Sequence, residues 1–367
     1  MMYSEIYLQA AKIFSYTALT FIIAMWWAPS LINLLTWLKF WKKSSRKITT
    51  TGEELTVTKQ FYEENEKKRL VPRAGGLLIW VTVLAFALFF WIVLKIFPEN
   101  QTAQFLNFID RKETFIPLGT LFFASIFGFV DDALATLETG GNYKAGGLKL
   151  SHRLALVTGL SFFIGLWFHF RLEMSEIIVP FLNFDFTTWG LPFDGGLLII
   201  PAVMLVMLAM WGSSMIDGFD GMSAGVFIPI FLCFGGIAFA REYYDIATLM
   251  MVISGALTAY LWFNIPPARF YMGDTGTMGL LLTLGVVAFL IDAVYILPLA
   301  GFMLVVTEGS VVLQMLSKKI RKKKLISAAP LHHHLEHIGW LRHQVTMRYW
   351  LVSIVASVIG FVIGLLT

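Results

Sequence analysis

Five short polar clusters hold most of the residues that could do chemistry in this chain of 367 residues. Carboxylates flanked by glycine can approach a ligand closely and supply hard oxygen ligands to a divalent cation such as Mg²⁺. Lysine, arginine and histidine can contact phosphate oxygens. The combination indicates an acidic, metal-binding site that handles an anionic substrate. The five clusters are Lys67-Lys68-Arg69, Asp131-Asp132, Asp217-Gly218-Phe219-Asp220-Gly221, Gly273-Asp274-Thr275-Gly276 and His332-His333-His334.

Each cluster taken alone also has an ordinary structural interpretation. Asp131-Asp132 could be a solvated helix end, although adjacent carboxylates at a membrane face repel unless a cation or protons are shared between them. The 217–221 cluster could be a plain acidic turn, and it fits a calcium loop poorly because no glutamate closes the ligand run. Three adjacent histidines cannot easily ligate one metal, because consecutive side chains on a helix point about 100° apart. The functional interpretation therefore depends on the clusters meeting in space.

The elements that must position these clusters are apolar runs. The chain is 57% hydrophobic and only 14% charged, with a mean hydropathy of +0.72, which is far from ordinary globular usage. The sequence predicts an all-α polytopic membrane protein with about ten transmembrane helices, forming a single domain over residues 1–367. The ten runs long enough to cross the hydrocarbon core are 13–38, 74–94, 114–130, 154–170, 195–216, 221–240, 246–268, 275–291, 293–317 and 349–367.

The five clusters occupy every second connection between these runs, so all five can lie on one face of the bilayer. Lysine and arginine follow the same asymmetry, because 22 of the 28 lie on the cluster side. The positive-inside rule places that face in the cytoplasm and both termini outside. The net charge of +4 is then explained by topology and anionic head groups, and no nucleic-acid partner is expected. Residues 53–69 are rich in helix formers, and the loose alternation in 173–194 predicts a short hairpin on the outer face.

Taken together, these residues resemble the polyprenyl-phosphate N-acetylhexosamine-1-phosphate transferase superfamily over nearly the whole chain. The likeness is greatest to its branch that uses a muramoyl-pentapeptide donor, because three histidines lie in the last motif. The matching motifs are Pro72-x-x-Gly75-Gly76, Gly128 to Asp132, Asp217 to Gly221, Phe263-Asn264 with Pro267-Ala268, Met272 to Gly276, Glu308 to Gln314 and Ala329 to Glu336. The chain departs from the family pattern at four positions. It has Arg73 where the family has a threonine, Ala135 where it has a lysine, and Trp211 and Ser214 where it has asparagines; its later basic position is Arg153.

The resemblance implies a bacterial cytoplasmic-membrane enzyme in which undecaprenyl phosphate attacks the β-phosphate of UDP-N-acetylmuramoyl-pentapeptide and UMP is released. It further implies Mg²⁺ as cofactor, with Asp274 as its ligand. The other implied roles are lipid-phosphate base or organiser for Asp131 or Asp132, nucleotide or metal-bound water for Asp217 and Asp220, diphosphate for Lys68, uracil stacking for Tyr271, substrate contact for Asn264, His332 and His334, and catalysis for His333.

Three other interpretations remain open at the level of sequence. The nearest is a sister transferase that uses UDP-N-acetylglucosamine, which the choice of nucleotide sugar distinguishes. A secondary transporter would also have about ten spans, but its polar residues should lie at mid-membrane. A non-catalytic lipid-binding protein of the same ancestry would lack turnover. The expected partners are the lipid bilayer and the two substrates, and a homodimer is compatible with the sequence.

Overall fold

The computed structural model of the protein describes residues 2–41, 70–110, 113–136, 147–180, 182–189 and 194–367. Within these ranges the chain is almost entirely helical, with one two-stranded antiparallel sheet. The α-helices are α1 (Met2–Trp37), α2 (Leu77–Ile96), α3 (Gln101–Leu106), α4 (Phe115–Thr136), α5 (Leu150–Leu172), α6 (Ile199–Gly212), α7 (Met222–Ala240), α8 (Tyr244–Asn264), α9 (Gly273–Leu290), α10 (Leu297–Ala300), α11 (Phe302–Arg321), α12 (Leu331–His337) and α13 (Arg342–Leu366). The strands are β1 (Glu176–Val179) and β2 (Leu182–Asp185), which form the hairpin predicted for 173–194.

Nine helical segments of the described chain are long and apolar enough to cross a membrane, or ten if one bent pair counts as a span. The prediction of an all-α polytopic membrane protein is therefore confirmed. The predicted run 293–317 corresponds to this bent pair, whose segments Val294–Ala300 and Phe302–Arg321 meet at 81°. Gly301 lies at the break with non-helical backbone angles. Residues 53–69, which are rich in helix formers and are expected to be partly helical, lie outside the described residues.

The centre of the bundle is formed by α8 and α9, whose most apolar windows are 83% and 89% buried inside the protein. The corresponding windows of α1 and α13 are only 33% buried, so these two helices present most of their surface outward. Along α9 the packing partner is mainly α4, whereas α8 packs between α1 and α7. The beginning of α9, where Asp274 lies, is therefore held by neighbouring helices.

Close packing of α4 against α9 depends on Gly128. A Cβ atom at this position would lie 2.0 Å from the carbonyl oxygen of Asp274, which is closer than any side chain can come. Asp131 and Asp132 follow within about one helical turn, so they are carried to the start of α9. The spacing from Gly128 to Asp132 thus brings two of the predicted clusters together.

The opposite end of the bundle has its own polar contacts. Lys12 Nζ lies 3.8 Å from Asp245 Oδ1 and donates a hydrogen bond to the Phe105 carbonyl. Arg241 donates to the carbonyls of Ile291 and Gly364, which ties together the ends of α7, α9 and α13. These contacts connect helix ends and leave the predicted clusters on the other face.

Candidate active site

The start of α9 is the point where the acidic clusters converge. Asp132 Oδ2 accepts a hydrogen bond from the Thr275 amide at 3.0 Å. Asp217 Oδ2 accepts one from the Gly273 amide at 3.2 Å, and its Oδ1 accepts one from Ser223 Oγ at 2.7 Å. Carboxylates from α4 and from the 217–221 turn thus bind the same three-residue segment, which itself carries Asp274.

Gly273 is the residue that permits this approach. Its φ of +70° lies in the left-handed region, where the backbone of residues other than glycine is strained. A Cβ atom there would also lie 2.2 Å from Asp132 Oδ2. Both requirements act at one position, so the glycine flanking noted in the sequence has a direct structural cause.

Asp131 is fully engaged by the protein. Its Oδ1 accepts a hydrogen bond from the Leu148 amide at 2.6 Å, and its Oδ2 lies 2.7 Å from Arg153 Nη2. The Arg153 guanidinium reaches Asp274 as well, with Nη1 3.0 Å from Oδ2. Since both oxygens of Asp131 have partners, its geometry favours an organising role over that of a base.

Asp132 differs from its neighbour. Its side chain is completely buried, and within the described part of the chain its Oδ1 has no hydrogen-bond partner. Arg73 Nη1 lies 3.8 Å from this oxygen, and the Arg73 side chain is 38% exposed. A buried carboxylate oxygen that is unsatisfied is costly, so it is a natural place for a proton, a cation or a substrate group.

The 217–221 turn is braced against the segment that leads into α9. Asp220 Oδ2 accepts a hydrogen bond from the Ala268 amide at 2.9 Å. Asn264, which is 1% exposed, accepts from the Gly221 amide at 2.9 Å and donates to the Phe270 carbonyl at 2.7 Å. The side-chain oxygen and nitrogen of Asn264 both bind the protein itself, so this residue braces the turn, and its predicted substrate contact stays a prediction.

Tyr271 belongs to the same entry segment. Its amide donates to the Pro72 carbonyl at 2.8 Å, and its carbonyl accepts from the Gly75 amide at 2.7 Å. The side chain is half-buried, which leaves part of the ring accessible. The Pro72 to Gly76 motif is therefore the backbone partner of this tyrosine, while Lys68 lies outside the described residues.

The three histidines occupy different environments around the 217–221 turn. His332 is 1% exposed and packs edge-on against Phe219, with ring centroids 5.1 Å apart. His333 also packs against Phe219 at 5.3 Å, and its Nδ1 lies 3.3 Å from Glu336 Oε2. His334 Nδ1 is 2.7 Å from Ser327 Oγ. The histidine cluster thus contacts the 217–221 turn of the acidic site. His332 is buried against this turn, and of the three histidines only His333 and His334 are partly exposed.

Acid should destabilise the protein through His332. Burial is the main cause that lowers the pKa of His332 to about 3, and the neighbouring His333 acts in the same direction. The unfolded chain, with a histidine pKa of about 6.5, then binds the proton more readily than the folded protein as the pH falls below that value. Lowering the pH from 7 to 5 should cost about 2 kcal/mol of folding free energy through this residue.

Thermal unfolding of detergent-solubilised protein at pH 7 and pH 5 measures this effect. His332→Asn should lose much of the pH dependence, whereas the matched control His337→Asn, at an exposed position of the same helix, should keep it. If His332→Asn and wild type lost the same thermal stability between pH 7 and pH 5, His332 would not be the source of the acid sensitivity.

Arg73 and Arg153 are the site residues whose roles the sequence did not reveal. Each was visible only as a departure from a family pattern or as a basic residue near a span end. Their contacts to Asp132, Asp131 and Asp274 come from segments 59, 22 and 121 residues away in the chain, and no spacing rule connects them. Positive charge beside a predicted acidic site was the available signal.

The chemistry of the carboxylates fits a bound Mg²⁺ ion. Asp274 has a side chain that is 25% exposed, and the amide of the next residue, Thr275, donates a hydrogen bond to Asp132 Oδ2. Among the described residues no group of three histidine, cysteine, aspartate or glutamate side chains is arranged to hold a metal by itself. Mg²⁺ commonly binds through one or two carboxylates together with substrate phosphates, so this donor set suits it.

Comparison with known proteins finds one matching family and relatives that share a single name. Residues 114–292 match the family described as glycosyl transferase family 4. A phospho-N-acetylmuramoyl-pentapeptide-transferase of Acetivibrio thermocellus is 29% identical over 94% of this chain and 92% of its own length. Proteins with the same name from Shouchella clausii and Borreliella burgdorferi are each 29% identical, over 94% and 81% of this chain and 95% and 84% of their own lengths. The matches cover the spans and the acidic clusters alike.

Proposed function

We propose, on the basis of the match of residues 114–292 to glycosyl transferase family 4, that this protein transfers phospho-N-acetylmuramoyl-pentapeptide from its UDP conjugate to undecaprenyl phosphate. The products are UMP and the first lipid-linked peptidoglycan precursor. The observation that carries the proposal is the convergence of Asp132, Asp217 and Asp274 at the start of α9. The names of relatives that align along most of the chain support the same donor.

The lipid phosphate supplies the nucleophile in this reaction. One of its oxygens attacks the β-phosphorus of the nucleotide sugar, the bond from that phosphorus to the UMP oxygen breaks, and UMP leaves. Arg73, partly exposed beside Asp132, attracts the phosphate, and Asp132 Oδ1 accepts the proton if the phosphate arrives as a monoanion. Positioning and charge stabilisation contribute most of the acceleration in phosphoryl transfer.

The diphosphate lies against the start of α9 in this proposal. Asp274 is the residue that would hold Mg²⁺, which when bound would neutralise charge on the diphosphate and assist the leaving group. Asp217 fixes the Gly273 amide and so sets the direction of Asp274. Tyr271, half-buried on the segment before α9, is placed to stack on uracil, and Lys68 is expected to contact the diphosphate.

Proteins of other classes fit the geometry less well. A secondary transporter should hold its polar residues at mid-membrane between broken helices. Here Asp132 lies near the end of α4, Asp217 lies between two spans and Asp274 lies at the start of α9. A non-catalytic lipid-binding protein would not need the converging carboxylates, and measured UMP release distinguishes it from an enzyme.

The nucleotide sugar is the point that separates the proposal from its nearest rival. Purified protein is given equal concentrations of UDP-N-acetylmuramoyl-pentapeptide and UDP-N-acetylglucosamine with limiting undecaprenyl phosphate, and mass spectrometry identifies the lipid product. We expect the muramoyl-pentapeptide product to exceed the other by more than about tenfold, because the basic run from Lys318 to Lys324 gives the site a positive rim toward a peptide with free carboxylates. A product carrying mainly N-acetylglucosamine would remove the peptidoglycan assignment and leave the phosphotransfer mechanism.

We also propose that the site faces the cytoplasm and that both termini are external, on the basis of the lysine and arginine asymmetry. Cysteine scanning in intact bacterial cells tests it. Thr50→Cys should resist a membrane-impermeant thiol reagent, and Glu99→Cys, on the connection between α2 and α3, should react. Cys233 is 4% exposed and gives little background. The opposite labelling pattern would reverse the orientation.

A further inference from the structure

Arg153 forms a bridge between two of the site's carboxylates. Nη2 lies 2.7 Å from Asp131 Oδ2 and Nη1 lies 3.0 Å from Asp274 Oδ2, while Nε donates to the Leu148 carbonyl at 3.2 Å. The side chain is 19% exposed, so the bridge is shielded from water more than a surface ion pair. A guanidinium keeps its charge at any pH that proteins tolerate.

This bridge places a permanent positive charge on the residue that the proposed function gives to the metal. A divalent cation that binds Asp274 would have to share the carboxylate with Arg153, whose Nη1 already occupies Oδ2. Charge repulsion between the guanidinium and the cation adds to this requirement. Asp131 strengthens the hold on Arg153, because the Leu148 amide and carbonyl fix both partners in place.

We propose that Arg153 competes with the divalent cation for Asp274 and so sets the metal affinity of the site, an inference that rests on the proposed function. Arg153 is then a positioning residue that keeps Asp274 in place and limits metal binding until the substrate diphosphate brings further oxygen ligands. Displaced from Asp274, the Nη1 group remains near the diphosphate and can donate a hydrogen bond to it. The arrangement makes binding of metal and of nucleotide sugar mutually favourable.

Mn²⁺ binding to the purified full-length protein tests the competition without reference to turnover. Free Mn²⁺ is measured by electron paramagnetic resonance during titration, with no nucleotide present. Arg153→Gln should bind Mn²⁺ on the order of tenfold more tightly than wild type, because a charge-assisted hydrogen bond to Asp274 no longer has to be broken. Arg153→Lys keeps the charge but loses the planar fork, and should shift the affinity in the same direction by less.

Two controls make the result specific. Lys149→Gln removes a positive charge at an exposed position at the start of the same helix, and should change the Mn²⁺ affinity by less than about twofold, since exposed charges are strongly screened. Asp274→Asn, alone and combined with Arg153→Gln, should remove the binding, which shows that the signal comes from Asp274.

The outcomes separate the inference from the function on which it rests. If wild type binds Mn²⁺ through Asp274 but both Arg153 variants bind it equally well or more weakly, Arg153 only supports the site and the competition is refuted. If Asp274→Asn leaves Mn²⁺ binding unchanged, the metal role of Asp274 fails first. If Arg153→Gln does not fold, the direction of the shift in Arg153→Lys decides the inference.

Discussion

Replacing Asp274 by asparagine should lower the rate of UMP release by at least about a thousandfold while the folded protein remains in the membrane. The substitution keeps the size of the side chain and removes the charge that a hard divalent cation requires. Asp274 is the partly exposed carboxylate at the start of α9, and its backbone is held by α4 through Gly128. The backbone should therefore stay in position when the charge is lost.

UMP release is measured with saturating undecaprenyl phosphate over a range of Mg²⁺ concentrations. Asp194→Asn is the matched control, because its side chain is 60% exposed and lies on the connection that leads into α6 on the far face. The control should keep activity within about twofold, as expected of a surface substitution. Near-normal turnover by the Asp274 variant with an unchanged Mg²⁺ requirement would remove Asp274 from the metal role.

The sequence predicted the architecture well because each span and each cluster is a local pattern. Uncharged runs fix the helices, and alternation of the connections fixes which clusters share a face. The exception was the run 293–317, where length and hydropathy could not reveal the 81° bend at Gly301. An apolar run looks the same whether its helix continues or breaks at one glycine.

The roles of individual site residues were harder to predict, because they depend on which polar side chains form hydrogen bonds within the folded protein. Asn264 and Asp131 have residue types suited to binding a substrate, yet their side-chain acceptors are occupied by the protein itself. His332 belongs to a polar run and is nevertheless buried under the 217–221 turn. Whether a polar group has a hydrogen-bond partner is a property of the tertiary structure, and the adjacent Asp131 and Asp132 differ in it at one oxygen.

Asp132 has one oxygen without a hydrogen-bond partner in the described part of the chain, and its substitution should therefore affect turnover differently from that of Asp131. Asp132→Asn should lower kcat by roughly 10²- to 10⁴-fold at any metal concentration, as expected for loss of a group that accepts a proton or directs the nucleophile. Asparagine can still accept the Thr275 hydrogen bond through its amide oxygen, so the start of α9 keeps its support. The charge beside Arg73 is lost, and with it the proposed acceptor for the lipid phosphate's proton.

Asp131→Asn should behave differently, because both oxygens of Asp131 already accept hydrogen bonds from the protein. Loss of the Asp131 charge frees Arg153 to pair more fully with Asp274, which should raise the Mg²⁺ concentration needed for half-maximal turnover. The kcat at saturating Mg²⁺ should stay within about tenfold of wild type. Steady-state kinetics across Mg²⁺ concentrations measures both quantities for each variant. If Asp131→Asn lowered kcat at saturating Mg²⁺ as much as Asp132→Asn does, the two carboxylates would share one role and the unsatisfied oxygen of Asp132 would not distinguish them. If instead only the Mg²⁺ requirement moved in Asp131→Asn, the reactive carboxylate of the pair would be Asp132, and Asp131 would act through Arg153.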